Sequence, residues 1–148
     1  MPVIKETKKL AAGALQVKDV MTTEVHSVSA SSTIEDIVKL FLSHNISGAP
    51  IIDANRKVVS VVSQSDLIQF IAMGGLQKRI GDFSKKLPEP NDLICVKTSD
   101  PFKEVFKLFL TKPVRRIIVT DGTGHLQGIV SKSNLLKAFM VTEGLLDQ

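Results

Sequence analysis

The chain repeats itself at an interval of 68 residues, and no other feature constrains its fold as much. Asp53 and Asp121 differ by 121 − 53 = 68. The same offset lays Lys39-Leu40-Phe41-Leu42 on Lys107-Leu108-Phe109-Leu110, and Val62-Ser63-Gln64-Ser65-Asp66-Leu67 on Val130-Ser131-Lys132-Ser133-Asn134-Leu135. Without a gap, residues 26–70 set against 94–138 give 11 identities in 45 positions, with many further apolar-for-apolar matches. Internal duplication fixes architecture before any local pattern does. Two copies predict a pseudo-symmetric pair with a central crevice, not an open solenoid.

Each copy reads as strand, helix, strand, strand, helix. In the first, Val25 to Val28 is a short extended run and Ser31-Ser32-Thr33 supplies a helix cap, with Glu35 and Asp36 in the first turn. Ile34, Ile37, Val38, Phe41 and Leu42 recur at the spacing of one buried helical face. Ala49 to Asp53 and Val58 to Val62 are strands, Ser63 to Met73 is a helix, and Gly74-Gly75 stops it. In the second copy Leu93 to Val96 is extended, and Asp100-Pro101 starts a helix with Pro in its first turn. Val105, Phe106, Leu108, Phe109 and Leu110 form that helix's apolar face. Arg116 to Thr120 and Leu126 to Val130 are strands joined by Asp121-Gly122-Thr123-Gly124, and Lys132 to Met140 is the last helix. The organisation expected is a tail over 1–16, repeat 1 over 17–74, and a linker with a short helix over 75–91. Repeat 2 follows over 92–141 and a C-terminal tail over 142–148.

Composition narrows the function classes. Of 148 residues, 43% are hydrophobic and 23% charged, ordinary values for a soluble globular chain. No apolar run reaches the roughly 18–20 residues needed to span a bilayer, and no signal-peptide pattern opens the chain. A cytoplasmic protein with no membrane partner is the expectation. The single Cys95 excludes an intrachain disulfide and, between Ile94 and Val96, reads as a small buried hydrophobe. The 19 basic residues against 15 acidic ones cluster in the tail (Lys5, Lys8, Lys9) and in the middle (Lys78, Arg79, Lys85, Lys86) without forming a dense stripe, and Trp and Tyr are absent, so no nucleic-acid partner is expected. Phe41, Phe70, Phe102, Phe106, Phe109 and Phe139 read as core.

Three scattered histidines make no metal-ligand spacing, and no nucleophile elbow, P-loop or dinucleotide fingerprint occurs. No catalytic residue and no metal site is nominated. The repeated Ser-x-Ser-Asp/Asn does nominate a binding site, because in each copy it joins a buried strand to a helix. Asp66 can accept from both hydroxyls of a ribose, Ser63 and Ser65 add donors, and a helix start favours phosphate. Ser63-x-x-Asp66 and Ser131-x-x-Asn134 are equally the pattern of a helix cap, and both readings stand. Arg115-Arg116 opens a strand where the first copy has Ser47-Gly48. Arginine suits bidentate phosphate contacts, and the alternative is a surface arginine beside one paired with Asp121.

Taken together, Val17-Lys18-Asp19-Val20-Met21, Ile46 to Asp53, Val59 to Leu67, Arg115 to Asp121 and Gly128 to Leu135 resemble the two members of a cystathionine-β-synthase (CBS) domain pair, or Bateman module. The resemblance covers about residues 17–141. It implies an α/β (α+β) fold of two β-α-β-β-α repeats packed as a pseudo-twofold pair, commonly a homodimer. It also implies a non-catalytic regulatory module that binds AMP, ADP, ATP or another adenosyl compound in two clefts, with no cofactor required and with an unidentified regulated protein as partner.

Position by position, the resemblance assigns Asp66 to ribose, Ser63 to ribose or phosphate, and Arg115 and Arg116 to phosphate. Ser131 and Asn134 are the equivalent pair of the second cleft, whose adenine pocket draws on Met21, His26, Ile46 and Ser47. The first cleft draws on Ile94, Val114 and Ile118. His26 has the alternative reading of a packed or exposed ring. The chain departs from the pattern at Ser60, where Gly128 keeps glycine; at Ile118, opposite Pro50; and at Asn134, which lacks the acid. The Asp66 cleft is therefore expected to be the stronger. The alternative function is a structural dimerisation module whose serines only cap helices.

Overall fold

The helix start expected at Ser31-Ser32-Thr33 is made by Thr33, whose Oγ1 accepts the Asp36 N–H at 3.1 Å. From there α2 runs Ile34–His44 and ends at Asn45, which turns left-handed at φ 51°. These coordinates are a computed structural model that describes residues 15–142. Most of the expected N-terminal tail, with Lys5, Lys8 and Lys9, and residues 143–148 lie outside them. The preceding elements are α1 (Val17–Val20) and β1 (Val28–Ser29). After α2 come β2 (Gly48–Ile52), β3 (Val58–Ser63) and α3 (Gln64–Ala72). Two 3₁₀ helices, Ile80–Lys86 and Pro90–Asp92, precede β4 (Cys95–Lys97), α4 (Phe102–Thr111), β5 (Arg116–Thr120), β6 (Leu126–Ser131) and α5 (Lys132–Thr142).

Two three-stranded sheets result, ordered β1-β2-β3 and β4-β5-β6. In each, the first strand lies parallel to the second across a helix, with Val28 opposite Ile51 and Val96 opposite Val119. β2 and β3 run antiparallel with a register shift between Ile51 and Ile52. The two compact units cut across the sequence repeats. The first unit holds Val25–Leu93 with Thr123–Leu126. The second holds the described residues up to Glu24 with Ile94–Gly122 and the described residues from Gln127. Each has its own core: Ile34, Ile37, Phe41, Val62, Leu67, Phe70 and Ile80 in the first, and Val17, Val96, Val105, Ile117, Val119 and Val130 in the second.

One packing device is used twice. In the second unit Gln16 caps α1 through Asp19, and Val17 and Lys18 donate their backbone N–H groups to Asp100 and Thr98. In the first unit Arg79 caps its 3₁₀ helix through Asp82, and Ile80 and Gly81 donate to Ser32 and Ala30. Asp100 and Thr98 are Ser32 and Ala30 shifted by the repeat interval. Each unit is thus closed by a short helical segment whose first residue, Val17 or Ile80, is fully buried. Gly75 is required where this segment leaves α3, because a Cβ there would stand 2.5 Å from the Phe83 ring and 2.7 Å from the Phe70 carbonyl oxygen.

Several expectations are corrected. Leu42 and Leu110 do not belong to the buried helix faces; they are 75% and 72% exposed. They sit at the edge of their apolar stripes, and the sheet covers only the Ile34-Ile37-Phe41 and Phe102-Val105 side. Phe139 is 39% exposed, not core. Cys95 is exposed, because alternation along β4 sends Val96 inward and Cys95 and Lys97 outward. Partial burial of its thiol still raises the pKa above the ordinary thiol value. Pro101 is the N-cap of α4 and not its first helical residue, while the Asp100 carboxylate accepts the Lys97 N–H. The first strands shift as well: pairing selects Val28–Ser29 and Cys95–Lys97 from the extended runs.

Candidate functional site

The strand-to-helix junctions β3–α3 and β6–α5 carry the Ser-x-Ser-Asp/Asn motif, one in each unit. At the first, Ser63 Oγ accepts the Asp66 N–H at 3.2 Å, and Asp66 Oδ2 accepts the Ser63 N–H at 2.8 Å. The Ser63 hydroxyl also donates to the same Oδ2 at 2.9 Å. This is a complete capping box, and all of its bonds to the carboxylate fall on one oxygen. The other, Asp66 Oδ1, takes no hydrogen bond from the described residues. Capping and ligand acceptance therefore coexist in one side chain, because a carboxylate has two acceptor oxygens and the cap consumes one.

The β2 approach lies against this junction. Gln64 donates its backbone N–H to the Ser47 carbonyl at 3.0 Å and its Nε2 to the Ile46 carbonyl at 3.4 Å. Ser63, Asp66, Ile46 and Ser47 are half-buried and Ser65 is exposed. His26 is exposed and stacks on His44 with ring centroids 3.9 Å apart.

At the second junction the same box forms. Asn134 Oδ1 accepts the Ser131 N–H at 2.8 Å and the Ser131 hydroxyl at 2.9 Å, and Ser131 Oγ accepts the Asn134 N–H at 3.2 Å. The amide nitrogen is engaged as well, with Asn134 Nδ2 donating one of its two N–H groups to Thr22 Oγ1 at 3.0 Å. Thr22 is held there by two backbone bonds of 2.9 Å with Ile129. Beside it, Met21 packs on Gly128; a Cβ at Gly128 would meet the Thr22 carbonyl oxygen at 2.7 Å and Met21 Sδ at 2.8 Å. Glycine at 128 is what lets this segment reach the sheet.

Sequence reasoning missed Thr22. Its signal was available in the hydroxyl directly after Met21, opposite Pro90 at the repeat interval. The structure places Met21, Ile94, Val114, Arg115, Arg116, Ile118, Ser131 and Asn134 in the second unit, and His26, Ile46, Ser47, Ser63, Ser65 and Asp66 in the first. Arg115 and Arg116 are exposed at the start of β5, Ile94 and Val114 are half-buried, and Ile118 is buried. Among the described residues no group of three or more His, Cys, Asp and Glu converges on a metal-sized site. No described helix is long and apolar enough to cross a membrane.

The profile of the CBS domain matches residues 17–73 and 81–141. The chain is 29% identical over 153 residues to the chloroplastic CBS domain-containing protein CBSX2 of Arabidopsis thaliana, covering 85% of this chain and 64% of that one. It is 27% identical over 123 residues to the uncharacterized protein MJ1232 of Methanocaldococcus jannaschii, covering 83% of this chain and 39% of the relative. It therefore spans less than two thirds of these curated relatives. The crystal structure of CBSX2 in complex with AMP superposes with a TM-score of 0.73 at 27% identity, covering 86% of this chain and 98% of the crystallised one. With both repeats matched in sequence and the paired fold matched in structure, the chain belongs to the CBS-domain family.

Proposed function

We propose that this chain is a non-catalytic regulatory module that binds an adenine nucleotide or a related adenosyl compound, with its principal site at the β3–α3 junction. One observation carries the reading: Asp66 closes its capping box with one oxygen and keeps Oδ1 for a ligand. A helix N-terminus with free N–H groups lies beside it and favours phosphate. CBSX2, similar at 27% identity, is described in complex with AMP. The resemblance adds Ser63, Ser65, Ile46, Ser47, Ile94, Val114, Ile118, Arg115 and Arg116 to the site, and Ser131, Asn134, Met21 and His26 to its counterpart. The counterpart is the weaker, because Asn134 spends both terminal atoms inside the protein.

The reading includes a homodimer, a regulated partner protein and a cytoplasmic location. The dimer is supported by the repeat itself. Leu42, Ile68 and Ile71 are exposed on the first unit's helices, and Leu110, Leu136 and Phe139 on the second's. Each of the latter is one of the former shifted by the repeat interval, so the chain presents the same apolar set twice. Exposed apolar patches of this kind mark protein contacts, and a self-complementary pair suits a twofold assembly. Isothermal titration with AMP, ADP, ATP, NAD and S-adenosylmethionine tests the proposal. Heat with at least one, lost in Asp66→Ala, is expected. Silence with all five overturns it in favour of a structural dimerisation module.

A further inference from the structure

The two closing segments are alike at their start and unlike at their end. Gln16 corresponds to Arg79, an offset of 79 − 16 = 63, whereas the strands of the repeats correspond at 68. The first unit therefore carries 68 − 63 = 5 extra residues between its capped 3₁₀ helix and β4. In the second unit the chain passes directly from Val20 through Met21 to Thr22, and Met21 lies flat against Gly128. In the first unit the extra residues bow outward, and Ser60, which replaces that glycine, donates its hydroxyl to the Pro88 carbonyl at 2.7 Å. Ser60 is only 7% exposed, so this is a built strut and not a surface contact.

Beneath the bow is a cavity of about 200 Å3, floored by Ala30, Ile51, Val59 and Ile80 and roofed by Leu87 and Pro88. Ser84 and Glu89 also line it, and these are the residues that correspond to Met21 at offsets 63 and 68. The cavity rim thus carries a hydroxyl and a carboxylate at positions where the second unit has methionine. An apolar cavity of about 150 Å3 already accepts a ligand the size of benzene. The Glu89 carboxylate makes no hydrogen bond or ion pair with the described residues and is exposed at the rim.

From this geometry we infer that the cavity is a second ligand site, distinct from the β3–α3 junction, for a small primary alkylamine. The alkyl chain lies against Ala30, Ile51, Val59 and Ile80, and the ammonium group faces Glu89. The site needs no nucleotide and lies wholly within the first unit.

The test is a titration of the full chain with n-butylammonium, followed by amide NMR shifts, with n-butanol and butyrate as matched controls. Shifts confined to Ala30, Val59, Gly81 and Ser84 are expected, with n-butanol binding roughly two- to fivefold more weakly for want of the charge. Glu89→Gln should erase the difference between amine and alcohol. Ser84→Met, an exposed position that restores the methionine of the other unit, should abolish binding, and Asp66→Ala should leave it unchanged. No localised shift, equal binding by the alcohol, or undiminished binding by a folded Ser84→Met protein would each overturn the proposal.

Discussion

Asn134 donates its side-chain amide to the Thr22 hydroxyl at 3.0 Å, and the residue opposite Thr22 at the repeat interval is Pro90, which has no hydroxyl to meet Asp66. Proline also lacks the N–H with which Thr22 bonds Ile129. Two substitutions, one at each junction, thus separate a committed amide from a carboxylate with an oxygen to spare.

Asp66→Asn should keep the capping box, since Asn134 makes the same box, and remove only the charge. Stability should stay near that of the parent while AMP binding weakens by about 1 kcal/mol, roughly fivefold. Asp66→Ala should lose both, with about 1 kcal/mol of stability gone along with the cap. Calorimetric titration paired with thermal melting distinguishes them; equal affinity in parent and Asp66→Asn contradicts the ribose role.

Asn134→Asp should strengthen the second junction. The new carboxylate retains the two bonds from Ser131, and its second oxygen becomes an acceptor for the Thr22 hydroxyl or for a ligand. A second nucleotide equivalent, visible as a raised stoichiometry, is the expected result.

Gly128→Ser copies the first unit's residue into a place with no room for it. The new Cβ would stand 2.7 Å from the Thr22 carbonyl oxygen, so the Thr22–Ile129 pair must part. Faster amide hydrogen exchange at Thr22 and Ile129 is expected; unchanged protection would show that the segment tolerates the side chain.

If the proposed homodimer forms through these helices, Leu42→Asp together with Leu110→Asp should convert it to monomer. Both positions are largely exposed within their units, so the melting of the isolated chain should change little. Light scattering after size exclusion reads the result, and an unchanged mass removes these helices from the interface.

Cys95 should alkylate slowly at neutral pH in spite of its exposed position. Partial burial disfavours the thiolate and raises the pKa, so the labelling rate should climb only above the ordinary thiol range. The linkage has the matching sign. The folded state favours the neutral thiol, so that contribution to stability is complete below the unfolded pKa and fades as pH rises through the folded one. Rates of iodoacetamide labelling against pH, in folded and denatured chain, provide the comparison.

Much of this fold is legible because its signals are local. The extent of β5 follows directly from Arg116 to Thr120, and Ser63 with Asp66 declares both strand end and helix start. Periodicity identifies α2 and α4 but not the width of their buried stripes, because that width is set by the partner surface. Leu42 and Leu110 fall outside the buried stripes for this reason, and the outward direction of Cys95 is not legible because three residues cannot reveal which way a strand faces. The deeper omission is that residues 15–22 serve the second repeat. Val17 carries no mark of its partner Asp100, more than 80 residues away, and the hydroxyl of Thr22 signals a polar contact without saying that its backbone pairs with Ile129. At the candidate site, the motif announces Ser63 and Asp66, but which oxygen is spent is a matter of geometry alone.

The closing segments also set an order in time for a chain made from its N-terminus. The first unit's closing segment is Arg79 to Ser84, so its β-α-β-β-α core can be sealed soon after its own last helix emerges. Residues 15–22 are made before either sheet and seated last. Val17 has no wall to lie against until α4 and β6 exist, and the bonds to Asp100 and Ile129 close loops of about 80 and 107 residues, read as 100 − 17 = 83 and 129 − 22 = 107. A chain truncated in the linker would carry a sealed first unit and a loose apolar leader seeking a sheet edge, in another copy if none is available in its own.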